Sequence, residues 1–281
     1  MILIKNIYQL QKIILQEKNS GKKIGFVPTM GALHQGHIAL ITEAKSQNEV
    51  VVCSIFVNPT QFNNAEDLIK YPKTLEADID KLEAADCTIL FLPEVAEMYP
   101  EGERQKKYEL GFLETVLEGK YRPGHFQGVC MIVDKLLQAV TPHVLYLGRK
   151  DYQQCMVVNA MMQLEKHKTT LVICETIRET DGLAMSSRNM RLNETERLQA
   201  LRIIETLNTI KQNIKPGDLV VLKKDAVIFL TNNDYKVDYV EIADANTLEL
   251  QDTWNGTKKL VALVAAYLNE VRLIDNIVLK N

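Results

Sequence analysis

The sequence predicts an α/β protein, a doubly wound parallel sheet followed by a smaller C-terminal α+β domain. Two observations carry this reading. Short runs rich in Val and Ile alternate with amphipathic segments through the first two thirds of the chain, the pattern of parallel strands covered by helices on both faces. After about residue 175 the alternation stops, and a long helical stretch precedes strand-like runs. At 281 residues the chain is long enough for one large and one small domain. We place them at 1–175 and 176–281.

In chain order, Ile7, Leu10, Ile13 and Ile14 keep helical spacing with Lys and Gln between them, and Asn6 is positioned to cap that helix. Strands are predicted at "IGFV" (24–27), "VVVCSIFV" (50–57), "TILFL" (88–92), "HVLYL" (143–147) and "TTLVIC" (169–174), with helices such as 74–85 and 126–140 between them. "NETERLQALRIIETLNTIKQNI" reads as one long helix, with Asn193 and Glu196 at the spacing of a capping box. "KPGD" at 215–218 breaks the chain before the strand-like runs "KVDYVEIAD" and "KLVALVAAYLNEVRLIDNIVL".

Composition narrows the function classes. Apolar residues make up 46% and charged residues 25%, and the formal charge is −3, so no general field attracts nucleic acid or an anionic membrane. Any bound anion must be held by local groups. Five scattered cysteines without a CxxC pair argue against a disulfide framework or zinc site and suit a reducing compartment. The N-terminal apolar stretch is interrupted by polar residues, unlike a secretory leader, and no apolar run reaches the roughly 20 residues that span a bilayer. A soluble, cytoplasmic protein is expected, with no nucleic-acid or membrane partner.

The chemistry concentrates at "PTMGALHQGH", which leaves the first buried strand and enters the helix "HIALITEAK". A helix N-terminus there offers free N–H groups and the positive end of its dipole to an anion. Gly31 and Gly36 leave room for a phosphate near the backbone, and three-residue spacing points the imidazoles of His34 and His37 the same way. Asn58 and Gln61 in "FVNPTQF" bring neutral amides to a strand end, suited to a carboxylate or hydroxyl. "YLGRKDYQQ" supplies Lys150, with Asp151 as a cap and Gln153 or Gln154 toward the ligand. "AMSSRN" adds Ser186, Ser187 and Arg188, neutral donors and one fixed cation for a polyphosphate. "GKYRPGHF" (119–126) reads as a mobile flap, or as a turn with Arg122 and His125 on the surface. A nucleotidylyltransferase or a non-catalytic nucleotide sensor would share the histidine turn.

Together "PTMGALHQGH", "NPTQF", "YPKTLEADI", "GRKDYQQ" and "AMSSRN", in this order and across the whole chain, resemble the pantothenate synthetase family, also called pantoate–β-alanine ligases. The resemblance implies a Rossmann-like domain of the HxGH nucleotidyltransferase type with a smaller C-terminal domain closing over the site. It also implies that ATP and pantoate form pantoyl adenylate and pyrophosphate, and that β-alanine then yields pantothenate and AMP, with Mg²⁺ required, on the way to coenzyme A. Carried over, Met30, Gly31, Ala32, Leu33, His34, Gln35, Gly36 and His37 contact ATP, with His34, His37 and Lys150 catalytic and His37 the proton donor. Gly148, Arg149, Lys150, Asp151, Ile177 (by backbone), Met185, Ser186, Ser187 and Arg188 complete the ATP contacts. Gln61, Gln154 and Asn58 take pantoate or β-alanine, and Asp78 belongs to a polar network. Arg149 stands where many relatives carry Glu or Gln, so its side chain is expected to point outward. A homodimer is implied as well.

Overall fold

The computed structural model describes residues 1–63, 65–102 and 106–279, and the last two residues of the predicted second domain lie outside them. The chain forms two compact units. One comprises Met1–Arg149 with Gln153–Glu175; the other comprises Lys150–Tyr152 with Thr176–Asn281. The short segment Lys150–Tyr152 therefore belongs with the second unit, which a single boundary at 175 does not anticipate.

The first unit is built on a six-stranded sheet. Its strands are β1 (Ile2–Ile4), β2 (Ile24–Thr29), β3 (Val50–Ile55), β4 (Ile89–Phe91), β5 (Val144–Gly148) and β6 (Thr170–Cys174), in the order β1-β4-β3-β2-β5-β6. Every pairing is parallel. All six residues of β3 are buried because helices cover both faces. Phe26, Val50, Val52 and Phe91 pack with Leu10, Ile14 and Leu136 on one side, while Val27, Val51 and Cys53 pack with Ile41 and Leu82 on the other. The strand order reverses between β2 and β5, which puts the ligand crevice of this sheet class outside their carboxyl ends.

The helix Ile7–Asn19 begins where the spacing predicts, with the Asn6 side chain accepting from the Gln9 N–H at 3.2 Å. Edge strand β1 is not predicted, since three residues carry too little periodicity to read. β3 ends at Ile55 rather than 57, because Asn58 caps a 3-10 turn over Pro59–Gln61. All five cysteines are free thiols. Burial pushes Cys87 and Cys174 up to about 11 and Cys130 to about 12, which keeps these thiols protonated and unreactive at neutral pH.

In the second unit, β8 (Tyr235–Asp244), β10 (Leu260–Leu268) and β11 (Val271–Val278) form an antiparallel sheet ordered β11-β10-β8, and Gly217–Asp218 (β7) pairs with Thr253–Trp254 (β9). The Asn193–Glu196 capping box forms in both directions, at 2.9 and 3.0 Å. The helix after it is not continuous. It divides into Glu194–Gln199 and Leu201–Asn213, because the chain tightens at buried Ala200 (φ −56°, ψ −21°), whose carbonyl accepts from Ile203 N at 3.3 Å.

Within the first unit, the Asp134 carboxylate is 2% exposed. It accepts from Tyr108 OH at 2.8 Å, His167 Nε2 at 2.8 Å, Gln138 Nε2 at 2.9 Å and Lys106 Nζ at 3.2 Å. Burial pushes this carboxyl up, but the four donors outweigh it and hold it below its ordinary value. A depressed carboxyl stabilises the fold above the unfolded value and loses that contribution as pH falls. Asp134→Ala is therefore expected to cost about 3–5 kcal/mol at pH 7 in urea unfolding. The gap from wild type should shrink below about pH 4; a gap independent of pH would refute the role of its charge.

Candidate active site

The turn leaving β2 is shaped by a residue 46 positions away. Asp78, 1% exposed, accepts the N–H of Ala32 at 2.8 Å and of Leu33 at 2.7 Å, and the Thr74 hydroxyl at 3.1 Å. Lys81, one turn on in the helix Leu75–Ala84, donates to the Leu33 carbonyl at 2.6 Å. Residues three apart share a helix face, so this helix grips both polar groups of the turn. Gly31 has φ +83°, and a Cβ there would lie 3.1 Å from Ile55 Cγ2 and 3.3 Å from an Asp78 oxygen. Conformation and space both call for glycine.

His34 is the N-cap of the helix Gln35–Gln47. Its Nδ1 accepts from Gly36 N at 3.2 Å, and His37 Nδ1 accepts in return from His34 N at 3.3 Å. Two imidazoles thus make a reciprocal capping box, with ring centroids 4.0 Å apart. Each Nδ1 is an acceptor, which assigns the proton of the neutral ring to Nε2.

This arrangement narrows the expected cradle of bare N–H groups. Gly31 N donates to Thr29 Oγ1 at 3.2 Å, Ala32 and Leu33 donate to Asp78, and His34, Gly36 and His37 N–H are all engaged within the cap. The turn's amides serve its shape. What it offers an anion is the half-buried pair of rings and the dipole of the helix behind them.

Beside it, Gln61 rests its Nε2 on Met30 Sδ at 3.1 Å and accepts from Asn58 Nδ2 at 3.0 Å. Asn58, expected to touch substrate, is 1% exposed. Its amide is committed to Gln61, the Gly128 carbonyl (3.1 Å), Tyr99 OH (2.7 Å) and Thr60 Oγ1 (3.0 Å), so it orients Gln61. His125 Nδ1 lies 2.8 Å from the Gln61 carbonyl. Gly128 lets the helix His125–Val140 approach, since a Cβ there would sit 2.4 Å from the Thr60 carbonyl oxygen. Tyr99, His125 and Gly128 escape a sequence reading because their partners are distant in the chain.

The segment 119–126 runs from buried Gly119 through a turn exposed at 123–124 to buried His125, so His125 is not the surface residue expected. Leu117–Tyr121 is helical with Leu117, Glu118 and Gly119 buried, Arg122 pairs with Glu118 at 3.5 Å, and His125 is 5% exposed. Burial of Gly119 and Phe126 and the His125–Gln61 contact pack its two ends into the unit.

Of the adjacent glutamines, Gln153 is consumed by the Glu118 N–H and the Leu113 and Val116 carbonyls. Gln154 is half-buried, and its side-chain amide has no hydrogen-bond partner among the described residues. Gly148 ends β5, and Arg149–Asp151 form a 3-10 turn. Arg149 is drawn to Glu175 by an ion pair.

In the second unit, the Lys150 ammonium has no partner among the described residues. Ile177 and Met185 are joined through Met185 N and the Ile177 carbonyl at 3.0 Å. Ser186 caps the 3-10 turn Ser187–Arg191, accepting from Arg188 N at 3.3 Å, and Ser187 is buried. No cluster of three His, Cys, Asp or Glu able to hold a metal occurs among the described residues, and none of their helices is long and apolar enough to cross a membrane.

Comparison with known proteins gives the family of the chain. The family model for pantoate-beta-alanine ligase matches residues 2–278. A pantothenate synthetase of Bacteroides fragilis is 45% identical over 280 residues, covering 99% of this chain and 98% of the relative, and one from Cytophaga hutchinsonii is 44% identical over 99% of both chains. The crystal structure of pantothenate synthetase from Thermus thermophilus superposes with a TM-score of 0.90 at 37% identity, over 99% of both chains. That of pantoate-beta-alanine ligase from Francisella tularensis, complexed with beta-gamma ATP and beta-alanine, superposes at 0.80 with 39% identity, covering 99% of this chain and 97% of that one. The chain belongs to the pantoate–β-alanine ligase family.

Proposed function

We propose that the chain condenses (R)-pantoate with β-alanine at the expense of ATP, through a pantoyl-adenylate intermediate. The observation that carries this reading is the reciprocal imidazole cap, with His34 and His37 each assigned an Nε2–H at the exit of β2. A pantoate carboxylate oxygen attacks the α-phosphorus and the bond to pyrophosphate breaks. The β-alanine nitrogen then attacks the acyl carbon, the bond to the phosphate oxygen breaks, and AMP leaves as the amine loses its proton.

The first step joins two anions and expels a third, so the protein's task is electrostatic. His34 and His37 donate hydrogen bonds to the phosphates through Nε2, with His37 donating to the charge that builds on the departing pyrophosphate. Lys150 and Arg188 are the cations assigned to ATP, alongside the contacts of Met30–Leu33, Gln35, Gly36, Gly148, Asp151, Ile177 and Met185–Ser187. Positioned donors of this kind are worth about 3 kcal/mol each on a barrier. Gln61 and Gln154 take pantoate. The Gln61 Nε2 rests only on a thioether, a weak acceptor, and can exchange it for a hydroxy-acid oxygen at little cost. The second step asks mainly that a neutral amine be held close to the adenylate. Mg²⁺ bound with the nucleotide would neutralise charge on the triphosphate. The reading includes a cytoplasmic homodimer.

The direct test is pantoate-dependent exchange between pyrophosphate and ATP, with AMP release on adding β-alanine. Lys150→Ala should lower exchange by about 100- to 1,000-fold. Exchange that ignores pantoate, or AMP transfer to a phosphate acceptor, would favour a nucleotidylyltransferase.

His34→Asn separates shape from chemistry, because asparagine is among the best N-caps but has no Nε2. It should unfold within about 1 kcal/mol of wild type while exchange falls about 100-fold or more. Retained exchange would reduce His34 to a cap.

A further inference from the structure

β11 carries two polar residues, Asp275 and Asn276, in the otherwise apolar run "LIDNIV". Both are 4% exposed. Burying adjacent polar side chains in a strand costs free energy unless each is paired, and neither belongs to the residues assigned to ATP, pantoate or β-alanine. The partners described for them lie in the second unit. Asn276 Nδ2 donates to the Lys150 carbonyl at 2.8 Å. The Asp275 carboxylate takes both arms of Arg178, NH1 at 2.6 Å and NH2 at 3.0 Å. Arg178 NH2 also reaches the Asn276 carbonyl at 3.3 Å, and Asn276 N–H donates to Asp275 at 2.8 Å. Both backbone polar groups of Asn276 are thereby held.

Arg178 has a second role in the same network. Its NH1 donates to the Gly182 carbonyl at 3.1 Å, and its backbone bridges to Ala184. That bridge closes the hairpin whose far arm continues into Met185–Arg188. Two of the stretches of the second unit assigned to ATP, the one at Lys150 and 185–188, are thus tied to adjacent residues of β11.

We infer that Asp275 and Asn276 are positioning residues for the reaction: Asn276 fixes the main chain under Lys150, and Asp275, through Arg178, fixes Asn276 and the hairpin. The inference rests on the proposed role of Lys150. The Lys150 ammonium has no partner of its own among the described residues, so its backbone anchor sets where the charge stands. Tyr152 OH, which donates to the Ala245 carbonyl at 2.6 Å, anchors the other end of the segment. Displacing a catalytic charge by about 1 Å costs up to about 100-fold in rate.

The test is a double-mutant cycle read by pantoate-dependent ATP–pyrophosphate exchange. Asn276→Ala should lower kcat/KM for ATP by about 10- to 100-fold while KM for pantoate stays within about 2-fold of wild type. Placed on Lys150→Ala, the same change should have almost no further effect, since the group it positions is gone. Asn276→Thr, which suits a strand and loses the reach of the amide, repeats the cycle should the alanine variant not fold. Equal losses in both backgrounds would overturn the positioning role and leave the function intact. An unaffected Lys150→Ala enzyme would overturn the role of Lys150 and this inference with it.

Discussion

A single buried carboxylate holds the first unit's site in shape. Asp78 takes the N–H groups of Ala32 and Leu33, and Ala32 is kept at φ 49°, a conformation that residues with a Cβ seldom adopt. Hydrogen bonds to a charged group contribute about 1.5–3 kcal/mol each, enough to offset that strain. With Lys81 on the Leu33 carbonyl, the helix Leu75–Ala84 determines the path by which the chain leaves β2. His34 is the next residue, so the imidazole cap inherits its place from a carboxylate on another element.

A division of labour follows. Backbone N–H groups in the turn are taken up by Asp78, by Thr29 and by the imidazoles. In the function we propose, ligand contacts fall to the far nitrogens of the rings and to side-chain amides. The same arrangement recurs at Asn58 and Gln153, whose amides are consumed internally, while their neighbours Gln61 and Gln154 retain capacity for a ligand. Under the same proposal, a chain of net charge −3 would hold a polyphosphate with local neutral donors and a few cations rather than with its overall field.

The sequence revealed the parts of the fold that periodicity governs. Five of the six parallel strands, the Asn6 cap and the Asn193–Glu196 box stand where apolar spacing and cap residues put them. β1 did not show, because three residues at a sheet edge set no period. The break at Ala200 did not show either, since alanine is the best helix former and the change there is a tightened turn. His34 and His37 were legible as a pair from their spacing; their use as mutual caps was not, because histidine is an uncommon cap residue. His125 looked like part of a loop since its partner, the Gln61 carbonyl, is 64 residues away. Asp275 and Asn276 did not show, because their contacts with Lys150 and Arg178 are tertiary.

The central claim is that the turn presents both imidazoles through Nε2 while Nδ1 caps the helix. Nitrogen-15 NMR of the histidine rings tests it most directly, with and without an ATP analogue. The account predicts that His34 and His37 at neutral pH show an unprotonated Nδ1 and a protonated Nε2, and that the nucleotide shifts both Nε2 resonances. Protons on Nδ1, or rings indifferent to the nucleotide, would contradict it.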